Sequence, residues 1–219
     1  MELEDYVRNI FNERNYQLAR SIDYSKTHPW FVPFTKDLPS VLKRLINRLE
    51  ESEPLRDRYI YEGSIGAGRL ADIFWFGFRH PKLAPSWQEG FYIVYLLSND
   101  GKRLYLSLIL GTELVFSQAE LERKALELQS AKEQVLNSLR NDAMGVDGLD
   151  LQPFNFGQVS FGGSSNLARA YEIANIFSIK YDSEIQIPSE EQLENDLRKF
   201  LAVYKRCVTL FQEYVPNCR

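Results

Sequence analysis

Apolar residues recur at helical spacing from the start of the chain. Leu3, Tyr6, Val7, Ile10, Phe11 and Leu18 form one stripe and predict a helix over Leu3 to Ala19. A connector rich in proline and aromatic residues follows, from Thr27 to Pro39. Ser40 then stands where a hydroxyl caps a helix that buries Val41, Leu42, Leu45, Ile46 and Leu49 and ends before Pro54. Past residue 57 the period changes. Tyr59-Ile60-Tyr61 and the run Ile73 to Phe78 carry the β-branched and aromatic residues that suit a pleated surface. Phe91 to Leu97 and Arg103 to Leu110 flank Ser98-Asn99-Asp100-Gly101-Lys102, whose Asp-Gly step predicts a hairpin.

The helical period then returns. Leu121, Ala125, Leu128, Ala131, Val135 and Leu139 share one stripe of a long charged helix over Ser117 to Arg140. Glycines and polar residues between Asn141 and Ser165 predict a loop or short irregular strands. Asn166 to Lys180 reads as a further helix. Pro188-Ser189-Glu190-Glu191-Gln192 offers a serine N-cap with Gln at the capping-box position, opening a helix that buries Leu193, Leu197, Phe200, Leu201, Tyr204 and Val208. These elements predict a single α+β domain, an antiparallel or mixed sheet braced by several helices. Its expected parts are a helical N-terminal segment over 1–54, a main unit over 55–211 and a tail over 212–219.

Composition narrows the function. Of the 219 residues, 44% are hydrophobic and 26% charged, an ordinary balance for a globular protein. The acidic start Met1-Glu2-Leu3-Glu4-Asp5 lacks the features of a signal peptide, and no apolar run reaches membrane-spanning length, so a cytoplasmic protein is expected. Cys207 and Cys218 do not make a disulfide framework or a metal cluster. A net charge of −4 argues against a general nucleic-acid binder. A local basic group, Arg56, Arg58, Arg69, Arg79, His80 and Lys82, surrounds the glycine-aromatic segment; taken singly, each also reads as a solvated loop or strand-edge charge.

Catalytic patterns are sparse. Gly66-Ala67-Gly68 lacks the third glycine of a dinucleotide fingerprint and leads into a strand rather than a helix, and no phosphate-binding Gly-x-x-x-x-Gly-Lys-Ser/Thr run occurs. His28 and His80, the only histidines, have no metal-ligand spacing. Glu120, Glu122 and Lys124 fall on a helix rather than on a strand beside a metal-binding aspartate. Ser164 and Ser165 follow Gly162-Gly163 without an identifiable base. No cofactor or metal is expected, and an enzyme is the weaker hypothesis.

One segment carries a resemblance. Ser64-Ile65-Gly66-Ala67-Gly68-Arg69, then Ile73-Phe74-Trp75-Phe76-Gly77-Phe78, Gly90 to Leu97 and Leu104 to Leu108, together with Ala170-Tyr171-Glu172 and Pro188 to Tyr204, resemble the N-terminal DNA-binding domain of the McrB family. That family supplies the GTP-driven subunit of a modification-dependent restriction system. The resemblance covers roughly residues 55–211 and implies a module that flips a methylated cytosine out of duplex DNA and holds it in a pocket. By that resemblance Trp75, Tyr92 and Leu96 match base-pocket positions, and Gly66, Ala67, Gly68 and Arg69 match the loop that enters the duplex. Arg79 and Lys82 would add backbone contacts. A GTPase domain and an McrC-like nuclease subunit would be partners, with no membrane. Where the best-known member of the family has a tyrosine, this chain has Ala67. A methyl group cannot fill the space of an extruded base as a ring does, so either Arg69 takes that role or DNA is engaged differently. Period-two alternation leaves Trp75 and Tyr92 open between core and pocket and favours core for Leu96. A protein-interaction module of a defence complex, using the same aromatic surface or the acidic long helix, is the competing reading.

Overall fold

A computed structural model describes residues 1–50, 59–112, 117–141, 154–156 and 159–212. Pro54, Arg56, Arg58, Cys218, most of the stretch between Asn141 and Ser165, and most of the tail lie outside the described residues. Five strands form one sheet in the order of the chain: β1 (Ile60–Gly66), β2 (Leu70–Arg79), β3 (Phe91–Leu97), β4 (Arg103–Leu110) and β5 (Asn175–Asp182). Every neighbouring pair is antiparallel. Six α-helices are present among the described residues: α1 (Leu3–Ile10), α2 (Glu13–Arg20), α3 (Leu38–Leu49), α4 (Gln118–Asn141), α5 (Asn166–Ala174) and α6 (Glu190–Gln212). None of the described helices is long and apolar enough to cross a membrane.

Alternation along the strands sends Phe74, Phe76 and Phe78 of β2, Phe91, Ile93 and Tyr95 of β3, and Phe177, Ile179 and Tyr181 of β5 to one face. There Phe76 stacks on Tyr95 with centroids 4.8 Å apart, Phe34 meets Phe74 edge-on, and Phe177 packs on Phe200 of α6. Leu3 and Val7 of α1, Val41, Leu42 and Ile46 of α3, and Leu193, Leu197 and Tyr204 of α6 join the same continuous core. The N-termini of α1 and α6 are tied reciprocally. The Glu4 N–H donates to Glu190 Oε2 at 2.7 Å, and the Glu190 N–H donates to Glu4 Oε2 at 2.9 Å. Each carboxylate thus meets donors that its partner helix leaves unsatisfied.

Four local expectations change. The first predicted helix is two, because Asn12 interrupts it and caps α2 by accepting the Asn15 N–H at 3.1 Å. Leu18, placed on the buried stripe, is 58% exposed, while Tyr16 and Ala19 are buried. Ser40 is not an N-cap: a π-helical turn over Pro33–Asp37 runs straight into α3, and the Ser40 hydroxyl donates to the Lys36 carbonyl. The helix predicted over Asn166 to Lys180 stops at Ala174. Asn175 turns to extended backbone, and the remainder becomes β5 on the open edge of β4.

The second face of the sheet carries Trp75, Tyr92, Leu96, Tyr105 and Ser107, with α4 and α5 against it. Several polar groups on the exposed side of α4 pair along the helix and with Ser117 just before it. Glu120 accepts from Ser117, Glu122 accepts from Gln118, and Lys124 pairs with Glu127. Cys207 is fully buried, and burial pushes its thiol up to about 12, which makes it a packing residue rather than a nucleophile.

Candidate functional site

The β1–β2 turn is built on glycine for steric reasons. Gly66 has φ +135°, and a Cβ there would lie 2.0 Å from the Arg69 carbonyl oxygen; Gly68, at the tip, has φ +76°. The Ser64 hydroxyl accepts the Gly66 N–H at 3.0 Å and fixes the entry to the turn. Beyond it the ladder is irregular. Between the pairs Ser64–Trp75 and Gly66–Leu70, β1 contributes Ile65 alone while β2 contributes Ala71 to Phe74. The surplus backbone bows β2 here, as an enlarged bulge does.

That bow forms one wall of a cavity of ≈ 750 Å³, whose opposite wall is the N-terminal turn of α5. A recess of this size falls in the range of roughly 300–1,000 Å³ typical of small-ligand sites. Gly66, Ala67 and Arg69 line its mouth, Ile73 and Trp75 its sheet side, and Leu167, Ala168 and Tyr171 its helix side. Ala67, Gly68 and Arg69 are exposed.

Asp72 holds the two walls together. Its Oδ2 accepts the Ser165 N–H at 2.8 Å and the Ser164 N–H at 3.1 Å. Burial alone would raise this carboxyl. The Ser165 N–H and hydroxyl, the Ser164 N–H and the nearby Arg20 charge outweigh burial and hold the group below its ordinary value of 3.8. Ser165 also caps α5, accepting the Ala168 N–H. The loop before it is pinned to the β3–β4 turn by Asn99, whose N–H donates to the Phe161 carbonyl at 2.7 Å. Arg20 of α2 braces the wall from outside, donating to the Ala71 carbonyl and to Asn99 Oδ1.

The linkage has a definite sign. A carboxyl lowered in the folded chain contributes stability that is present above its unfolded value and lost as pH falls through its folded value. Asp72→Asn is therefore expected to cost on the order of 0.5–1 kcal/mol at pH 7, after discounting for solvent screening. The deficit should shrink below pH 4 and vanish once Asp72 itself is protonated. Thermal melts of both proteins from pH 7 to 3 check this; a deficit independent of pH would separate Asp72 from the tie.

Trp75 is half-buried and faces two ways. One side lines the cavity, and the other packs on Trp87 with centroids 4.7 Å apart. Tyr92, 4% exposed, lies behind that pair: its hydroxyl donates to the Trp87 carbonyl at 2.9 Å and its ring meets Trp87 edge-on at 4.8 Å. Burial first, then the neighbouring Tyr171 and Tyr204, push its hydroxyl well above the usual tyrosine range. Leu96, 1% exposed, sits directly across the ladder from Trp75. Neither Tyr92 nor Leu96 lines the cavity; Leu96 is buried beside Trp75 on the same sheet face, and Tyr92 is buried against Trp87.

Arg79 ends β2 and Lys82 lies just past it; Arg79 and Leu70 pair with Ile60 and Gly66 of β1, six residues apart, which puts Arg79 on the order of 20 Å from the Arg69 end at ~3.3 Å per residue. The Arg79 guanidinium donates to the Ala84 and Pro85 carbonyls and lies 5.7 Å from the Trp87 ring centroid, so it fixes the segment that carries Trp87. Lys82 is exposed. The structure thus brings Gly66, Ala67, Arg69 and Trp75 together and leaves Arg79 and Lys82 apart from them.

The sequence reading missed Asp72 and Tyr171 as site residues. An aspartate amid β-formers is depleted in strands and was the available signal for Asp72. Tyr171 reaches the cavity only because the start of α5 is tied to β2 through Asp72. Burial pushes its hydroxyl up to about 12, so it stays protonated at neutral pH. Among the described residues, no group of three or more His, Cys, Asp or Glu side chains is placed to hold a metal ion.

Fold and cavity define an α+β domain with a preformed, aromatic-walled recess beside an exposed glycine turn. The chain matches the MrcB-like N-terminal domain family over residues 13–209 and belongs to it. No curated protein and no solved structure gives a match.

Proposed function

We propose that this domain is a DNA-recognition module that extrudes a modified cytosine from duplex DNA and holds it in the cavity between the Gly66–Arg69 turn and α5. The observation that carries the reading is the half-buried Trp75, a flat ring on the wall of a recess whose mouth is an exposed glycine turn bearing Arg69. An extruded base needs a stacking surface and a backbone that can come close to the vacated stack, and these two elements supply them. Tyr92 and Leu96 serve the pocket indirectly, Leu96 beside Trp75 and Tyr92 through Trp87. Family membership favours the same reading, in which GTPase and nuclease activities belong to a partner domain and an McrC-like subunit rather than to this domain.

Arg69 replaces the missing ring of Ala67 at the vacated position or on the adjoining phosphate. Matched duplexes with and without 5-methylcytosine, across several flanking bases, test the proposal by equilibrium binding at a series of salt concentrations. The modified duplex should bind more tightly, by as little as about fivefold, because a methyl group in an apolar pocket contributes roughly 1 kcal/mol. Arg69→Ala should weaken binding to both duplexes and flatten the slope of affinity against salt, with unfolding unchanged. Equal affinity for modified and unmodified duplexes in every context would remove the modified-cytosine claim.

A further inference from the structure

Among the described residues, two charged side chains line the cavity, Arg69 at the turn and Asp72 on the β2 wall. An internal carboxylate repels phosphate, so the ligand's phosphates belong at the Arg69 mouth and an uncharged edge belongs inside. Ionised Asp72 only accepts hydrogen bonds, and a carboxylate offers about four lone-pair positions. The Ser164 and Ser165 N–H groups occupy Oδ2 and fix the orientation of the group; with the Ser165 hydroxyl as a third donor, one of the four positions is left over, on Oδ1. Trp75 and Tyr171 line the same cavity with aromatic rings.

Resting on the base-pocket reading above, we infer that Asp72 selects the extruded base by accepting a hydrogen bond from its exocyclic amino group. The ligand is then an amino-bearing base, cytosine with its 5-substituent, and a 4-oxo pyrimidine is rejected because its carbonyl oxygen faces the carboxylate. Guanine, which would use both oxygens of a carboxylate, finds one already committed.

The test uses the full chain and duplexes that differ at one position opposite guanine: 5-methylcytosine, 5-methylpyrimidin-2-one, which lacks the 4-amino group, and thymine. A fluorescent adenine analogue beside that position reports extrusion. The unsubstituted protein should bind 5-methylcytosine about ten- to a hundredfold more tightly than either other base, the range of one hydrogen bond to a charged acceptor. Pairing cannot produce this order, since the two weaker pairs open more easily. In Asp72→Asn the backbone donors of Ser164 and Ser165 hold the amide oxygen, so the amide NH2 takes the place of Oδ1 and faces the cavity. Preference should then turn toward thymine.

Extrusion of all three bases with equal affinity would overturn the role of Asp72 while leaving the pocket reading standing. Absence of any extrusion signal would overturn both. A folded Asp72→Asn protein with an unchanged order of preference would likewise overturn the inference, and if that variant does not fold, the three duplexes with the unsubstituted protein decide it.

Discussion

Tyr204→Ala is expected to lower the stability of the domain by about 3–5 kcal/mol, the range for removing a fully packed aromatic side chain. Tyr204 is fully buried on α6, where its ring meets Tyr59, Phe78 and Phe91. Its hydroxyl joins two strand ends, accepting the His80 N–H at 2.9 Å and donating to the Phe91 carbonyl at 3.1 Å. Truncation opens a cavity and strands a buried donor and a buried acceptor together. Tyr204→Phe separates these effects, keeping the ring and costing about 1–3 kcal/mol for the unpaired groups. Urea unfolding should show lower midpoints at an unchanged slope for both variants. A loss below 1 kcal/mol for the alanine variant would mean that this turn of α6 is not docked on the sheet in solution.

The same residue illustrates what the sequence could disclose. Tyr204 falls on a helical stripe with Leu193, Leu197, Phe200, Leu201 and Val208, so its burial was readable from periodicity. The hydroxyl partners were not, because His80 and Phe91 lie far away along the chain. The β3–β4 hairpin was equally legible: Asp100-Gly101 supplies the turn, Gly101 takes φ +72°, and the strands coincide with the runs Phe91–Leu97 and Arg103–Leu110 that flank it. Asn166 to Lys180 misled for a physical reason. Leu167, Ala170, Ala174 and Phe177 keep helical spacing straight through the junction, so period alone could not locate the change at Asn175. The unpaired edge of β4 settles it, by offering a ladder partner to Phe177, Ile179 and Tyr181, residues that also favour strand.

The candidate site was legible in part, along the same divide. Gly66, Gly68 and Trp75 lie close together in the chain, and their types announce a tight turn beside an aromatic strand. The helix wall is nonlocal: Ser164, Ser165 and Tyr171 meet β2 only across some ninety residues, through the bonds to Asp72. Arg79 and Lys82 were grouped with Arg69 by proximity in sequence, but an extended strand separates its ends by far more than a turn does. Tyr92 and Leu96 share a sheet face with Trp75, as alternation implies, yet only depth within the fold distinguishes a cavity wall from buried packing.

Trp75 is where core and cavity meet, and its truncation has the second large expected effect. On the function proposed above, Trp75→Ala removes the stacking wall for the extruded base. The dissociation constant for duplex containing 5-methylcytosine should rise about five- to 150-fold, corresponding to roughly 1–3 kcal/mol per stacked base. Discrimination against the unmodified duplex should collapse with it. The stability cost should fall short of the about 3–5 kcal/mol of a fully enclosed aromatic, because one side of the indole already faces the cavity. Trp75→Phe keeps a smaller ring in place and should lie between the two in both measurements. Binding and thermal unfolding on the same preparation distinguish the roles: a folded alanine variant with undiminished preference for the modified base would leave Trp75 as packing alone and move the recognition surface elsewhere on the domain.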